Sequence, residues 1–297
     1  MHINKTLDIN KNTQKKNKFR FTKKFVISII TVIILCIILY VYYVKKYKYQ
    51  NNNLTSILNN NIIHKSNSNS IIPMNVFQAW HSKNLPTKMN ETIKSLRTQN
   101  QDFKFYLYDN NNCRNFIISN FSNEVLNAYD RLIPHAYKSD LWRYCILYKN
   151  GGIYLDVKYN CVDGFKLNEL IHSEHFASDR PEHFMNRNGI YQAIIVTKPG
   201  NNVLLECINK IVENVNNKYY GYNPLYPTGP GLMGDVFDNL NADKSLIDLK
   251  FVGNGIQYNN RLILLEYPEY RQDQQILKIR ESIISYNDLW YSRQIYN

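Results

Sequence analysis

The chain has 297 residues and a formal net charge of +12, but residues 1–48 hold eleven bases against one acid, Asp8, so the rest carries only +2. A nearly neutral body excludes a basic groove for a phosphate backbone, and no nucleic-acid partner is expected. An apolar content of 44% supplies a real core, which excludes wholesale disorder and suits one domain of about 200–250 residues plus accessories.

Residues 1–24 read as a basic tail. Phe25–Val44 is a run of twenty residues without a charge, enough at roughly 1.5 Å per residue to span about 30 Å of hydrocarbon, and it predicts a transmembrane helix. The run is longer than a signal-peptide core and no small-residue cleavage site follows it. Tyr40, Tyr42 and Tyr43 suit the bilayer interface. Eight bases precede the helix and three follow closely, so the positive-inside rule puts the N-terminus in the cytosol and the body in a lumen. That is a type II signal-anchor topology, with the lipid bilayer as a partner, in the Golgi or ER of a host cell or in a viral membrane. Residues 45–70 are polar, rich in Asn and Ser and without a periodic apolar face, and they predict a flexible stem. Asn, Ile, Tyr and Lys are all abundant, as an AT-rich gene would give, so the Asn runs are assigned no function. Sequons stand at Asn53, Asn90 and Asn120, each open to glycosylation on a secretory route.

From residue 71 to 297 short apolar strands alternate with amphipathic helical stretches, the pattern of an α/β domain with a largely parallel sheet. Strands are predicted at 75–79, 104–108, 152–157, 175–178, 192–196 and 248–252, and helices at 87–99, 111–120, 135–148 and 203–217. Cys36 lies in the expected membrane helix; Cys113, Cys145, Cys161 and Cys207 form no C-x-x-C pair, so they read as buried thiols rather than a zinc or redox motif. There is no H-E-x-x-H, no G-x-S-x-G and no phosphate-cradling glycine loop.

The informative run is His135–Phe165. Its first part is helical, with Ala136, Asp140, Arg143 and Leu147 on one face. Gly151 and Gly152 stop the helix and a strand follows, in which Tyr154, Asp156 and Lys158 are expected to share a face. Asp156 therefore falls near the carboxyl end of a strand, where open α/β sheets place their ligands. Two readings stay open from the pattern alone: a binding site, or a turn cap at Asp156 beside an ordinary Asp140–Arg143 ion pair.

A-x-K-S-D-L-W-R-Y-x-I-L-Y-x-x-G-G-I-Y-L-D, from Ala136 to Asp156, resembles the core of the DXD-motif sugar transferases that include the fungal initiating α-mannosyltransferases. The resemblance takes in Ile72–Trp80, D-F-K-F-Y-L-Y-D and the T-G-P-G of Thr228–Gly231, and the texture is similar to that of members encoded by giant DNA viruses. It implies a GT-A nucleotide-sugar-binding fold and a retaining hexosyltransferase, using a UDP- or GDP-hexose donor and a glycan or glycoprotein acceptor. By the same resemblance Asp140 bonds hydroxyls of the donor sugar, Arg143 contacts sugar and phosphate, and Asp156 stands near ribose and metal. These roles suit an acceptor-only carboxylate and a guanidinium fork. Trp80 resembles the part that holds the base; a core aromatic is the competing reading. In Y-N-D-L-W, Asp288 or Trp290 is implied to reach the donor. T-G-P-G is expected to open a helix near the acceptor, or to be an ordinary turn.

One position departs from the family. The third residue of D-x-D is Lys158, and a hard cation such as Mn²⁺ or Mg²⁺ needs anionic oxygen ligands there. Three readings follow. Lys158 neutralises the diphosphate itself without a metal; or Asp163 or Asp288 supplies the missing ligand; or the protein is a degenerate, non-catalytic binder of sugar nucleotides or glycans.

Overall fold

The computed structural model describes residues 72–184 and 188–297, together with Leu35, Ile37 and residues 39–42. The chain divides into two units, Met1–Asn61 and Ile62–Asn297, and the sheet lies in the second. The expected membrane span at 25–44 lies outside the described residues except for Leu35, Ile37 and 39–42, which are helical and exposed. Among the described residues no helix is long and apolar enough to cross a membrane. The expected tail, the stem and Asn53 also lie outside them.

The strands are β1 (Asn75–Ala79), β2 (Lys104–Tyr108), β3 (Gly152–Leu155), β4 (Tyr159–Cys161), β5 (His175–Ser178), β6 (Ile190–Thr197), β7 (Leu249–Val252), β8 (Gly255–Tyr258) and β9 (Arg261–Glu266). They form one sheet in the order β2-β1-β3-β6-β5-β7-β8-β9-β4. The helices are α1 (Thr87–Gln99), α2 (Asn110–Asn120), α3 (Asn123–Arg131), α4 (His135–Asn150), α5 (Asn202–Asn216), α6 (Pro230–Asn239), α7 (Tyr270–Arg280) and α8 (Tyr286–Tyr291).

The fold is α/β, but the sheet is mixed, which corrects the expectation of a mostly parallel one. Among the described residues only β1–β2, β1–β3 and β5–β7 pair in parallel; the other pairings are antiparallel. The cause lies in the connections. A parallel neighbour needs a crossover such as α1 between β1 and β2, whereas two residues can only reverse the chain. Gly253 at φ +61° turns β7 into β8, and Asn259 and Asn260, at φ 49° and 60°, turn β8 into β9.

The core lies against the central strands. β3 is buried at all four residues, and Val76, Ile153, Leu155, Ile194, Val196, Ile256 and Leu264 share one cluster. Each such side chain contributes about 1.5–3 kcal/mol by leaving water. Helix α4 is buried almost all round from Tyr137 to Tyr148, as a helix packed on several sides must be; α5 packs against it. Gly151 (φ +61°) ends α4, its N–H bonded to the Leu147 carbonyl at 2.7 Å. Cys113, Cys145, Cys161 and Cys207 are buried free thiols, as expected.

Candidate active site

Helix α4 and strand β3 are joined by only Gly151, so the carboxylate and guanidinium of the helix come to lie beside the end of the strand. Arg143 Nη2 is 3.4 Å from Asp140 Oδ1 and 4.0 Å from Asp156 Oδ1. The guanidinium lies over the Tyr154 ring at 4.3 Å; Nη1 donates to the Gln192 carbonyl at 2.9 Å and Nη2 to Ser139 Oγ at 3.2 Å. Its Nε is buried and has no partner among the described residues. Asp140 accepts a 2.7 Å hydrogen bond from Thr228 Oγ1. Burial pushes its carboxyl up to about 6, against the opposing pull of Arg143 and of the Thr228 hydrogen bond. The T-G-P-G turn does open a helix, α6, with Pro230 in its first turn, and it thereby brings Thr228 to Asp140.

Strand β3 stops at Leu155, two residues earlier than predicted, and Val157 and Lys158 form a turn. Tyr154, Asp156 and Lys158 nevertheless converge. The Tyr154 hydroxyl donates to Asp156 Oδ1 at 2.9 Å, and Lys158 Nζ stands 3.9 Å from Asp156 Oδ2. Lys158 is only 6% exposed. Its ammonium donates to the Tyr191 hydroxyl at 3.0 Å, lies 3.4 Å from Glu266 Oε2, and sits among the rings of Tyr159, Tyr191 and Tyr270 at 5.1, 5.7 and 5.3 Å. Buried Glu266 in turn accepts from Arg271 Nε at 3.1 Å and Nη2 at 3.4 Å.

Two cavities adjoin at these residues. One, of about 230 Å³, is lined by Trp80, His81, Tyr129 and Leu277. The other, of about 710 Å³, is lined by Asp140, Lys158, Arg180, Gln192, Arg271 and Tyr291. Ala136, Arg143, Asp156, Tyr270 and Gln274 line both. Trp80, half-buried, leaves its Nε1 buried and unpartnered among the described residues.

Other expected residues stand elsewhere. Trp290 lines neither cavity; its Nε1 donates to the Tyr220 carbonyl at 2.7 Å. Asp288 also lines neither, because it closes the first turn of α8 with Ser285, whose hydroxyl donates to Asp288 Oδ2 at 2.7 Å. The same short helix does reach the larger cavity, through Tyr286, Asn287 and Tyr291. Asp163 occupies a left-handed turn, φ 53°, beside Gly164, and lines neither cavity. Asn90 is exposed on α1, while Asn120 is half-buried with its amide donated to the Phe116 carbonyl at 2.9 Å.

The side chains around Asp156 do not fit a divalent ion. One carboxylate oxygen takes the Tyr154 hydroxyl and the other faces the Lys158 ammonium. A unit-charge pair about 4 Å apart at an effective dielectric near 20 interacts by about 4 kcal/mol, so a doubly charged ion seated there would meet roughly twice that repulsion from Lys158 alone. Among the described residues no group of three or more His, Cys, Asp or Glu side chains is arranged to hold a metal.

Sequence reasoning missed Tyr191, Glu266, Tyr270 and Arg271. Glu266 had a legible signal: it is an acid closing an apolar strand, R-L-I-L-L-E, the same feature that marks Asp156. The tyrosines had none, because β6 and α7 meet Lys158 only in the fold.

Comparison with known proteins places the central segment. The family described as "Glycosyltransferase sugar-binding region containing DXD motif" matches residues 86–177. Inositol phosphoceramide mannosyltransferase 3 of Schizosaccharomyces pombe is 28% identical over 166 residues, 56% of this chain and 44% of that protein. An uncharacterized glycosyltransferase of Acanthamoeba polyphaga mimivirus is 36% identical over 93 residues, 31% of this chain and 37% of its own. The chain thus spans less than half the length of these two relatives. Among solved structures, PaToxG glycosyltransferase aligns at a TM-score of 0.45 and 14% identity, covering 86% of this chain and 94% of that one. Residues 86–177 are where the chain is similar to glycosyltransferase sugar-binding regions containing a DXD motif.

Proposed function

We propose that the protein is a retaining hexosyltransferase of GT-A type that moves a hexose from a UDP- or GDP-sugar to a hydroxyl of a glycan or glycoprotein. One observation carries this reading: Arg143 Nε and Trp80 Nε1 are buried donors without partners among the described residues, on residues that line two cavities meeting at Arg143 and Asp156. Buried donors are costly to leave unpaired, and a nucleotide sugar supplies acceptors to both. In this reading the base lies against Trp80 in the smaller cavity, the diphosphate lies at Arg143, and the sugar enters the larger cavity beside Asp140. Asp156 orients the ribose. The similarity of residues 86–177 to glycosyltransferase sugar-binding regions supports the same assignment, and the relative named as a mannosyltransferase makes mannose the first sugar to test.

The test is donor hydrolysis and transfer by the full chain in detergent, against a panel of UDP- and GDP-hexoses. Turnover of at least one donor is expected. Binding without turnover would favour the second reading, a non-catalytic sugar-nucleotide binder, for which Lys158 in the D-x-D position is the supporting observation. The pH profile is a further prediction. Asp140 must be ionised to accept sugar hydroxyls, and its carboxyl is pushed up to about 6. Protonation below that value removes the acceptor, so kcat/KM is expected to fall about tenfold per pH unit below about 6. A flat profile from pH 5 to 8 would contradict this role.

We further propose the organisation of a cytoplasmic tail at 1–24, a signal anchor at 25–44, a stem at 45–70 and a lumenal catalytic body at 71–297, in a Golgi, ER or viral membrane. The uncharged apolar run and the flanking bases support it. In sealed microsomes the body is expected to resist added protease until detergent is supplied. A glycosidase-sensitive mobility step that Asn90→Gln removes is also expected, because Asn90 is exposed, whereas the amide of Asn120 is engaged by its own helix. Digestion of the body without detergent would overturn the topology.

A further inference from the structure

We propose that Lys158 takes the place of the divalent ion of the D-x-D pattern, so that the donor diphosphate is bound and released against Lys158 and Arg271 without a metal. The inference rests on the donor assignment made above and adds to it the identity of the counter-charge.

Charge arithmetic is the starting point. An acid holding a divalent cation contributes +1 in sum, and a lysine contributes +1 by itself. The exchange of Asp for Lys at the third position thus leaves the same local charge with no ion present. A decayed position would leave the lysine in solvent, since a long cationic side chain keeps its head in water by default. Here the ammonium is instead built in. Tyr159, Tyr191 and Tyr270 surround it, and Tyr191 takes one of its three N–H groups at 3.0 Å. Asp156 and Glu266 face it at 3.9 and 3.4 Å, looser than charge-assisted hydrogen bonds of about 2.7–2.9 Å. The remaining N–H groups are therefore held near the larger cavity without being saturated. Glu266 is shared with Arg271, whose side chain is 68% exposed and lines the same cavity. One buried acid thus positions two cations on one wall, the arrangement a diphosphate requires.

The chemical step balances without an ion. The bond from sugar C1 to the β-phosphate oxygen breaks and its electron pair stays on that oxygen, where Lys158 and Arg271 stabilise it. The acceptor hydroxyl oxygen bonds to C1 on the face the leaving group vacates. The hydroxyl proton passes to the departing diphosphate.

The test is titration calorimetry of UDP and GDP, as probes, against the full chain in detergent, in excess EDTA and again with Mn²⁺. The preferred nucleotide is expected to bind equally, within about threefold, in both media. Lys158→Met is expected to weaken binding about 10–100-fold in both, the worth of a hydrogen bond to a charged group. Lys158→Asp, which restores D-x-D, is expected to bind nucleotide only with Mn²⁺ and to hold a Mn²⁺ detectable by electron paramagnetic resonance. Wild-type binding that disappears in EDTA and returns with Mn²⁺ would overturn the proposal and leave the donor assignment standing. No binding of either nucleotide in either medium would remove the donor assignment and this inference with it. If Lys158→Met shows no thermal transition, Arg271→Gln decides: a loss of about 3–10-fold in both media supports the proposal, and unchanged affinity overturns it.

Discussion

Replacing Asp140 by Asn is expected to lower hexosyl transfer by about 10²–10³-fold, the range that follows removal of one preorganised polar contact at a reacting centre. Asn keeps the size of the side chain and one acceptor oxygen, so the Thr228 hydrogen bond of 2.7 Å survives. What is lost is the negative charge that pairs with Arg143 at 3.4 Å and that orients sugar hydroxyls as an acceptor on both oxygens. Arg143 retains the Tyr154 ring, the Gln192 carbonyl and the Asp156 oxygen at 4.0 Å. The cost in stability should therefore fall below the about 3–5 kcal/mol seen when a buried charge is stripped of its partner. Steady-state kinetics with a hydrolysed donor, read beside a thermal melt, separates the two effects. A variant that folds and turns over at the wild-type rate would remove Asp140 from the chemistry. The acid limb near pH 6 should vanish with the same substitution, because Asn does not titrate.

Gly152→Ala is expected to be strongly destabilising. Gly152 has φ +108°, and a Cβ built there would stand 2.6 Å from the Asn75 carbonyl oxygen and 3.3 Å from that of Pro73. The backbone conformation alone costs a side-chain-bearing residue about 1–3 kcal/mol, and the overlap forces β1 away from β3 at the pairing of Val76 with Ile153. A total near 3–5 kcal/mol is a large part of the about 5–15 kcal/mol that holds an ordinary domain together. Gly164→Ala is the matched control: it too has positive φ, +68°, but nothing lies within 4 Å of its added Cβ, so a cost of about 1 kcal/mol is expected. Chemical denaturation midpoints of the two variants test the difference. Equal shifts would mean that the close approach of Asn75 is relieved at no cost. Because Gly152 opens the strand that leads to Asp156, the same variant should also lose donor binding.

Local rules read well where each residue's surroundings are its own neighbours in the chain. The strands at 75–79, 104–108 and 175–178 and the helix at 87–99 coincide with the structure, since alternation and helical spacing settle these without outside help. The β8–β9 hairpin carries a turn signal that the strand and helix periods do not show. Asn259 and Asn260 form the left-handed turn between β8 and β9, because an Asn side chain tolerates that conformation. Strand and helix alternation without these hairpins reads as a parallel sheet, and the hairpins make it mixed. Trp290 and Asp288 line neither cavity, and the helix they sit on presents Tyr286, Asn287 and Tyr291 to the larger one instead.

Local sequence specifies the central unit: helix, Gly-Gly stop, strand and acid, with Asp140, Arg143 and Asp156 brought together because only one residue separates α4 from β3. It also exposed Lys158 as the departure from D-x-D. What it did not contain was the meaning of that lysine. Tyr191, Glu266, Tyr270 and Arg271 lie 33 to 113 positions further along the chain, and nothing local specifies their approach. Only the antiparallel return of β6, the pairing of β4 with β9 and the packing of α7 bring them to the ammonium. A buried cation is tolerable only with acids and rings around it, so the tertiary structure alone turns Lys158 from an apparent defect in a motif into a fixed charge facing the cavity.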